Sequence, residues 1–515
     1  MLAKVLSAQV SGLSADIIDV EVDISQGLHS FSIVGLPDKA VEESKDRITA
    51  AIKNSGFKSP QKGNLKVIVS LSPADIKKEG SSFDLAIALA HLLATRELSF
   101  NPKGKLFLGE LALDGALRPL RGALMMARKA KSAGFSELYL PQENAREAAL
   151  VEGIQIFPVR TLKQLAEHLS PFAEGSNKFL TIVPQEKTEI IFEQSSYLTD
   201  FADVKGQESA KRGLEIAAAG GHNIAMSGPP GTGKTMLAKA FIGILPPLPF
   251  EHILEVTGIH SSAGVLQEDL VTRPPLRSPH HTASYVSMVG GGATPKPGEI
   301  TLAHRGVLFL DEFPEFERRV LESLRQPLED RVISISRAKG TICFPADFIL
   351  IATMNPCPCG NRGVRGKECV CSQSAIMKYE RKISGPIIDR IDLWLSVPQV
   401  DPEKLGSDAE GEGSVSVRER VARARSIQEK RFREVPGLCT NSQMSVREIK
   451  RFAPLSKEAT DILNASALRL NLSARVYHRL IKLARTIADL HGVEDITPSH
   501  LLEALQYRPK EKAGY

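Results

Sequence analysis

The octapeptide Gly228-Pro229-Pro230-Gly231-Thr232-Gly233-Lys234-Thr235 has the spacing G-x-x-x-x-G-K-T. Backbone N–H groups wrap a phosphate only where no Cβ blocks the approach, which is why such a loop needs glycine. Lys234 then reaches the terminal phosphates of a nucleoside triphosphate, and Thr235 offers a hydroxyl to magnesium. The apolar run His222–Ser227 leads into the loop and a helical pattern, Met236–Ile242, leaves it. That strand-loop-helix context separates a phosphate loop from a chance glycine-rich turn.

Further along, the run Gly306–Leu310 ends in Asp311 and Glu312. Ligands of parallel sheets gather at the C-terminal ends of strands. Asp311 is the expected magnesium ligand, and Glu312 is placed to orient or deprotonate the attacking water, because in phosphoryl transfer a protein mainly positions groups and neutralises charge. A third run, Phe348–Thr353, leads to Asn355, whose amide can touch both the γ-phosphate and that water. Arg390 stands beside a tight turn in Gly385-Pro386-Ile387-Ile388-Asp389-Arg390-Ile391-Asp392. Its fixed charge suits a transition-state phosphate on a neighbouring subunit; the alternative is an ion pair with Asp389 or Asp392.

Four of the six cysteines crowd into Cys357-x-Cys359 and, after nine intervening residues, Cys369-x-Cys371. Four thiolates on a short loop suffice for tetrahedral zinc, although the spacing differs from the commoner C-x-x-C pairs and free thiols are the alternative. Arg362, Arg365 and Lys367 make this loop basic, while Cys343 and Cys439 read as isolated buried thiols. His280 and His281 have no acidic or cysteine partner at useful spacing and read as structural or hairpin-contact residues.

These motifs need several elements to hold them. At roughly 150 residues per domain, 515 residues divide into about three or four units. Short β-type runs and helical patterns alternate over residues 1–170, which reads as a self-contained α/β domain. Residues 171–197 mix small and polar types as a connector, 198–400 carry the nucleotide motifs, 401–416 form an acidic, glycine-rich linker, and 417–515 repeat apolar residues at helical intervals as a small bundle. An apolar share of 42% with 24% charged residues excludes a disordered chain. No run is long enough to span a bilayer and the start lacks a signal peptide's apolar core, so the expected place is the cytoplasm, with no membrane partner. A net charge of +5 does not by itself imply nucleic acid.

Beyond the ATP motifs, Arg277-Ser278-Pro279-His280-His281-Thr282, Gly290-Gly291-Gly292, Pro297-Gly298-Glu299-Ile300, Leu302-Ala303-His304 and Asn355-Pro356-Cys357-Pro358-Cys359-Gly360 resemble the magnesium-chelatase-like AAA+ proteins, and more narrowly the YifB/ComM family, over nearly the whole length. The resemblance implies an α/β fold: a P-loop AAA+ core with a helical C-terminal lid, preceded by a Lon-protease-like domain of the ribosomal-S5-like kind. It implies ATP and magnesium as cofactors, Asn355 at the sensor-1 position, Arg390 as an arginine finger and Arg475 as the sensor-2 arginine. It also implies a homo-hexameric ring and DNA branch migration during natural transformation. Extra hairpins would lie within about 284–300 and 331–344, with Arg337 and Lys339 near the second tip. Basic residues there would grip a phosphate backbone without reading sequence, so Arg337, Lys339, Arg362 and Arg365 are the DNA-contact candidates; the alternative is a solvated turn. ATP-driven remodelling of a protein partner, as by a chelatase motor, is the competing function.

Lys78-Glu79-Gly80-Ser81-Ser82-Phe83-Asp84 and Asp114-Gly115-Ala116-Leu117-Arg118-Pro119 resemble the Lon protease domain, with Ser82 at the nucleophile position. A serine–lysine dyad needs an amine as base, and Leu124 stands where that lysine belongs. The serine is expected to be inert and the domain a scaffold.

Overall fold

The computed structural model describes the chain except residues 13, 62–63, 79, 171–180, 190–198, 267–269, 293–295, 338–339, 365, 401–410 and 510–515, and except the side chains of 337 and 340. The chain divides into two compact units, one of residues 1–191 with 250–271, the other of 192–249 with 272–515.

In the first unit the long strands Leu2–Ser11 and Ser14–Gln26 pair antiparallel, followed across the sheet by Leu65–Ser72 and Ser30–Val34. Alternation along Ser14–Gln26 buries Ile18, Val20 and Val22, the pattern of a sheet with one face on a core. The alanine- and leucine-rich helix Asp84–Ala94 is buried almost throughout and fills that core. A three-stranded parallel sheet of Lys105–Phe107, Glu137–Pro141 and Gln155–Val159 completes the unit. Helix Phe250–Ala263 joins from later in the chain: Ser261 Oγ accepts from Gly122 N at 2.9 Å, at the start of helix Ala123–Ser132.

The second unit is built on five parallel strands in the order Leu276–Arg277, Val307–Leu310, Ile349–Met354, Ile224–Ser227, Leu393–Ser396. Val307–Leu310 is buried at every position, because helices cover both faces of a parallel sheet and its central strands are therefore continuously apolar. Helices Ser414–Phe432, Val446–Phe452, Lys457–Arg469, Ala474–Leu490 and Pro498–Gln506 follow. Phe432, Leu480 and Ile487 from these helices and Ile224 and Leu393 from the sheet belong to one apolar core, so the lid and the sheet stabilise each other. Two antiparallel hairpins interrupt this plan: Gly290–Gly291 with Lys296–Pro297, and Val332–Arg337 with Gly340–Pro345.

Two of the expectations for single cysteines are corrected. Cys343 is exposed, because strand alternation in the second hairpin turns Phe344 inward and Cys343 outward. Cys439 is only partly buried.

Candidate active site

Strand Ile224–Ser227 delivers the chain into the phosphate loop and helix Lys234–Ile244 leaves it. Gly228 is required by space: a Cβ there would meet Val397 O at 2.1 Å. Lys234 is 9% exposed. Its Nζ donates to Gly228 O at 2.6 Å, Pro229 O at 2.8 Å and Asn355 Oδ1 at 3.1 Å. Burial lowers its pKa from the ordinary lysine value, and the charges of Asp311 and Glu312 oppose that shift. The sheet order places Ile349–Met354 directly beside Ile224–Ser227, and this adjacency brings Asn355 to the lysine.

Asp311 follows the next strand, Val307–Leu310. Its Oδ2 accepts from Thr235 Oγ1 at 3.0 Å, and its Oδ1 accepts from the Thr353 hydroxyl and from Glu312 N. A hydroxyl and a carboxylate facing each other supply the hard oxygen ligands that magnesium takes. Glu312 itself has φ +52°, a left-handed conformation that costs a non-glycine residue about 1–2 kcal/mol. Its side chain stays 57% exposed, with Oε2 3.5 Å from His281 Nδ1. Sequence spacing could not pair His281 with Glu312: the two meet only in the folded chain.

Arg390 is not at this cluster. Its Nη1 donates to Pro386 O at 2.8 Å and its Nη2 lies 2.9 Å from Glu329 Oε2. Asp389 and Asp392, the partners considered from sequence, do not take it. Asp392 instead accepts from Asn223 N at 2.9 Å and pairs with Arg479, which also donates to Arg390 O at 2.8 Å. Arg475, one residue into helix Ala474–Leu490, reaches the same Glu329 at 3.2 Å. Glu329 and Arg479 were not singled out by any sequence motif; only their folded position marks them.

The four clustered cysteines place their sulfurs within 4.8 Å of one another. Cys357 Sγ lies 3.4 Å from Cys359 Sγ and 3.6 Å from Cys369 Sγ. Zinc–sulfur bonds of about 2.3 Å at tetrahedral angles separate sulfurs by about 3.8 Å, so the set fits that ion. The Asn361 N–H, then the Cys371 thiol, pull the Cys359 thiol down to about 6, while Cys369 and Cys371 shift upward beside it. This loop touches the nucleotide loop: a Cβ on Gly360 would meet Pro230 Cδ at 2.7 Å. Arg362 pairs with Glu380 at 3.2 Å, while Lys339, Arg365 and the side chain of Arg337 lie outside the described residues.

In the first unit, Ser82 Oγ donates to Ala8 O at 3.3 Å, Leu124 is fully buried, and Lys78 is buried with its Nζ on Pro73 O.

Residues 200–405 match the family described as magnesium chelatase, subunit ChlI; residues 20–144 match subunit ChlI of Mg-chelatase, and 411–508 its C-terminal part. The YifB protein of Salmonella typhimurium is 43% identical over 514 residues, covering 98% of this chain and 97% of its own. The competence protein ComM of Haemophilus influenzae is 41% identical over 516 residues, covering 98% and 97%. A DNA replication licensing factor, mcm6 of Dictyostelium discoideum, is 24% identical over 341 residues, covering 59% of this chain and 34% of its own. Among the described residues no helix is long and apolar enough to cross a membrane. With a five-stranded parallel sheet carrying the phosphate loop, and near-complete coverage by such relatives, this chain belongs to the YifB/ComM family of magnesium-chelatase-like AAA+ ATPases.

Proposed function

We infer that this ATPase works as a ring, hexameric as in the family's resemblance, and that its stroke moves DNA strands, as in branch migration. The observation that carries the ring is the position of Arg390 and Arg475. Both are held at Glu329, and neither is a partner of Lys234, Thr235, Asp311 or Asn355. An arginine that stabilises transition-state charge must reach the γ-phosphate, and a neighbouring subunit's phosphate is the one these arginines would serve. Within each site Lys234 binds the phosphates, Thr235 and Asp311 hold magnesium, Glu312 activates water, and Asn355 positions it.

DNA as the substrate is supported by relatives named as a competence protein and a DNA replication licensing factor, and by the two hairpins that the ATPase unit carries. The four-cysteine loop would hold a structural zinc, and the first unit would act as a scaffold without peptidase activity. The cytoplasm is the compartment this reading requires.

Steady-state ATP hydrolysis with and without single-stranded and forked DNA tests the reading, beside Glu312→Gln, which should bind nucleotide without turnover. Stimulation by DNA, lost in the variant, is the expected result. Hydrolysis indifferent to every DNA form would move the substrate to a protein partner.

A further inference from the structure

Helix Gln373–Glu380 has two unlike faces. Ile376 and Tyr379 are buried. Ser374, Met377, Lys378 and the following Arg381, spaced at i, i+3, i+4 and i+7, share the exposed face. Opposite them the segment 314–318 forms the second wall of a groove of about 680 Å³. Arg318, Lys378, Arg381 and Lys382 line it, with Glu315 as its single acid. Glu315 is occupied by Lys382 at 2.7 Å. Arg318, Lys378 and Arg381 make no ion pair with a described residue.

Exposed charges on one helix are ordinarily a solvated face. Here cations from two separate elements converge on one concavity, where like charges repel and the field concentrates anions. A row of phosphates relieves that repulsion without any base readout. Met377, 44% exposed beside the cations, adds apolar surface for a sugar or base. Both walls also lead to the ATP site. Pro314 follows Glu312 by two residues. Tyr379, on the buried side of the helix, lies beside the backbone of Asn355.

We propose that this groove binds the phosphate backbone of a DNA strand and is the surface through which DNA acts on Glu312 and Asn355. The inference rests on the DNA reading above.

Fluorescence anisotropy of a labelled single strand, over a range of salt and with the full-length protein, tests it. Three proteins are compared: wild type, Lys378→Glu/Arg381→Glu, and a charge-matched control, Lys430→Glu/Lys457→Glu, at exposed lid positions. The groove variant is expected to lose at least about tenfold in affinity beyond the control. Its log–log salt dependence should be shallower by about 1.4, for two phosphates of a single strand. DNA stimulation of hydrolysis should fall in parallel, with melting temperature reporting that the variant is folded. Wild type that binds DNA while both variants bind alike overturns the groove and leaves the DNA reading standing. Wild type that binds no DNA overturns that reading, and the groove with it. Loss of ring assembly by light scattering in the groove variant alone, with DNA affinity equal to the control, would assign the groove to a second copy instead.

Discussion

Arg390 and Arg475 share one carboxylate: Glu329 Oε2 lies 2.9 Å from Arg390 Nη2 and 3.2 Å from Arg475 Nη2. Arg390 is only 11% exposed, and burial lowers its pKa while Glu329 opposes the shift. Glu329 therefore holds the two guanidiniums together as a unit. Arg390→Ala and Glu312→Gln are each expected to lower hydrolysis by at least about 100-fold. Mixing the two inactive proteins should recover activity, because a subunit with an intact Glu312 then borrows a neighbour's arginine. Mixtures as inactive as their components would place Arg390's action within its own chain.

His281 is the neighbour of Glu312 that spacing did not reveal, 3.5 Å from its carboxylate. A side chain that orients the water-activating group affects turnover more than binding. His281→Ala is expected to reduce kcat about tenfold with ATP affinity unchanged, and His281→Gln to recover part of it. An unchanged kcat would reduce the contact to packing of the His280–His281 segment.

Asp392 anchors the backbone at Arg390. Burial pushes its carboxyl up, but the charge of Arg479 and the contact with His222 outweigh burial and hold it well below the usual carboxylate range. A depressed folded pKa means that the unfolded chain takes up the proton first as pH falls. The stabilisation is therefore complete above about pH 4, the ordinary value, and is lost below it. Asp392→Asn leaves Arg479 without its buried partner and is expected to cost the ATPase unit about 3 kcal/mol. Melting temperatures of wild type and variant between pH 3 and 7 should converge on the acid side; parallel curves would mean that Asp392 is not the titrating group.

The contact between Gly360 and Pro230 joins the cysteine loop to the phosphate loop. Gly360 also has φ +77°, a conformation unfavourable to a branched side chain. Gly360→Val is expected to weaken nucleotide binding about tenfold while zinc content stays at about one ion per chain. Chelation that removes zinc should weaken nucleotide binding in the same direction. Zinc absent from the wild-type protein would assign the four sulfurs to free thiols.

Much of the ATP site was legible because it is local. A phosphate loop is eight consecutive residues whose backbone does the binding, and Asp311-Glu312 follow an apolar strand run that announces itself. The helix after the phosphate loop was readable to within two residues at each end for the same reason, Met236–Ile242 from the sequence against Lys234–Ile244 in the structure. The sequence by itself therefore determined that this chain binds and hydrolyses a nucleoside triphosphate on a parallel sheet with a helical lid. Only the tertiary structure decided which strands are neighbours, and with that the meeting of Lys234 with Asn355, of Glu312 with His281, and of two distant arginines with Glu329. It also decided that Phe250–Val271 packs with the first unit. Such pairings depend on strand order and helix packing, which are set by burial summed over a whole core, and no short window of residues carries that sum.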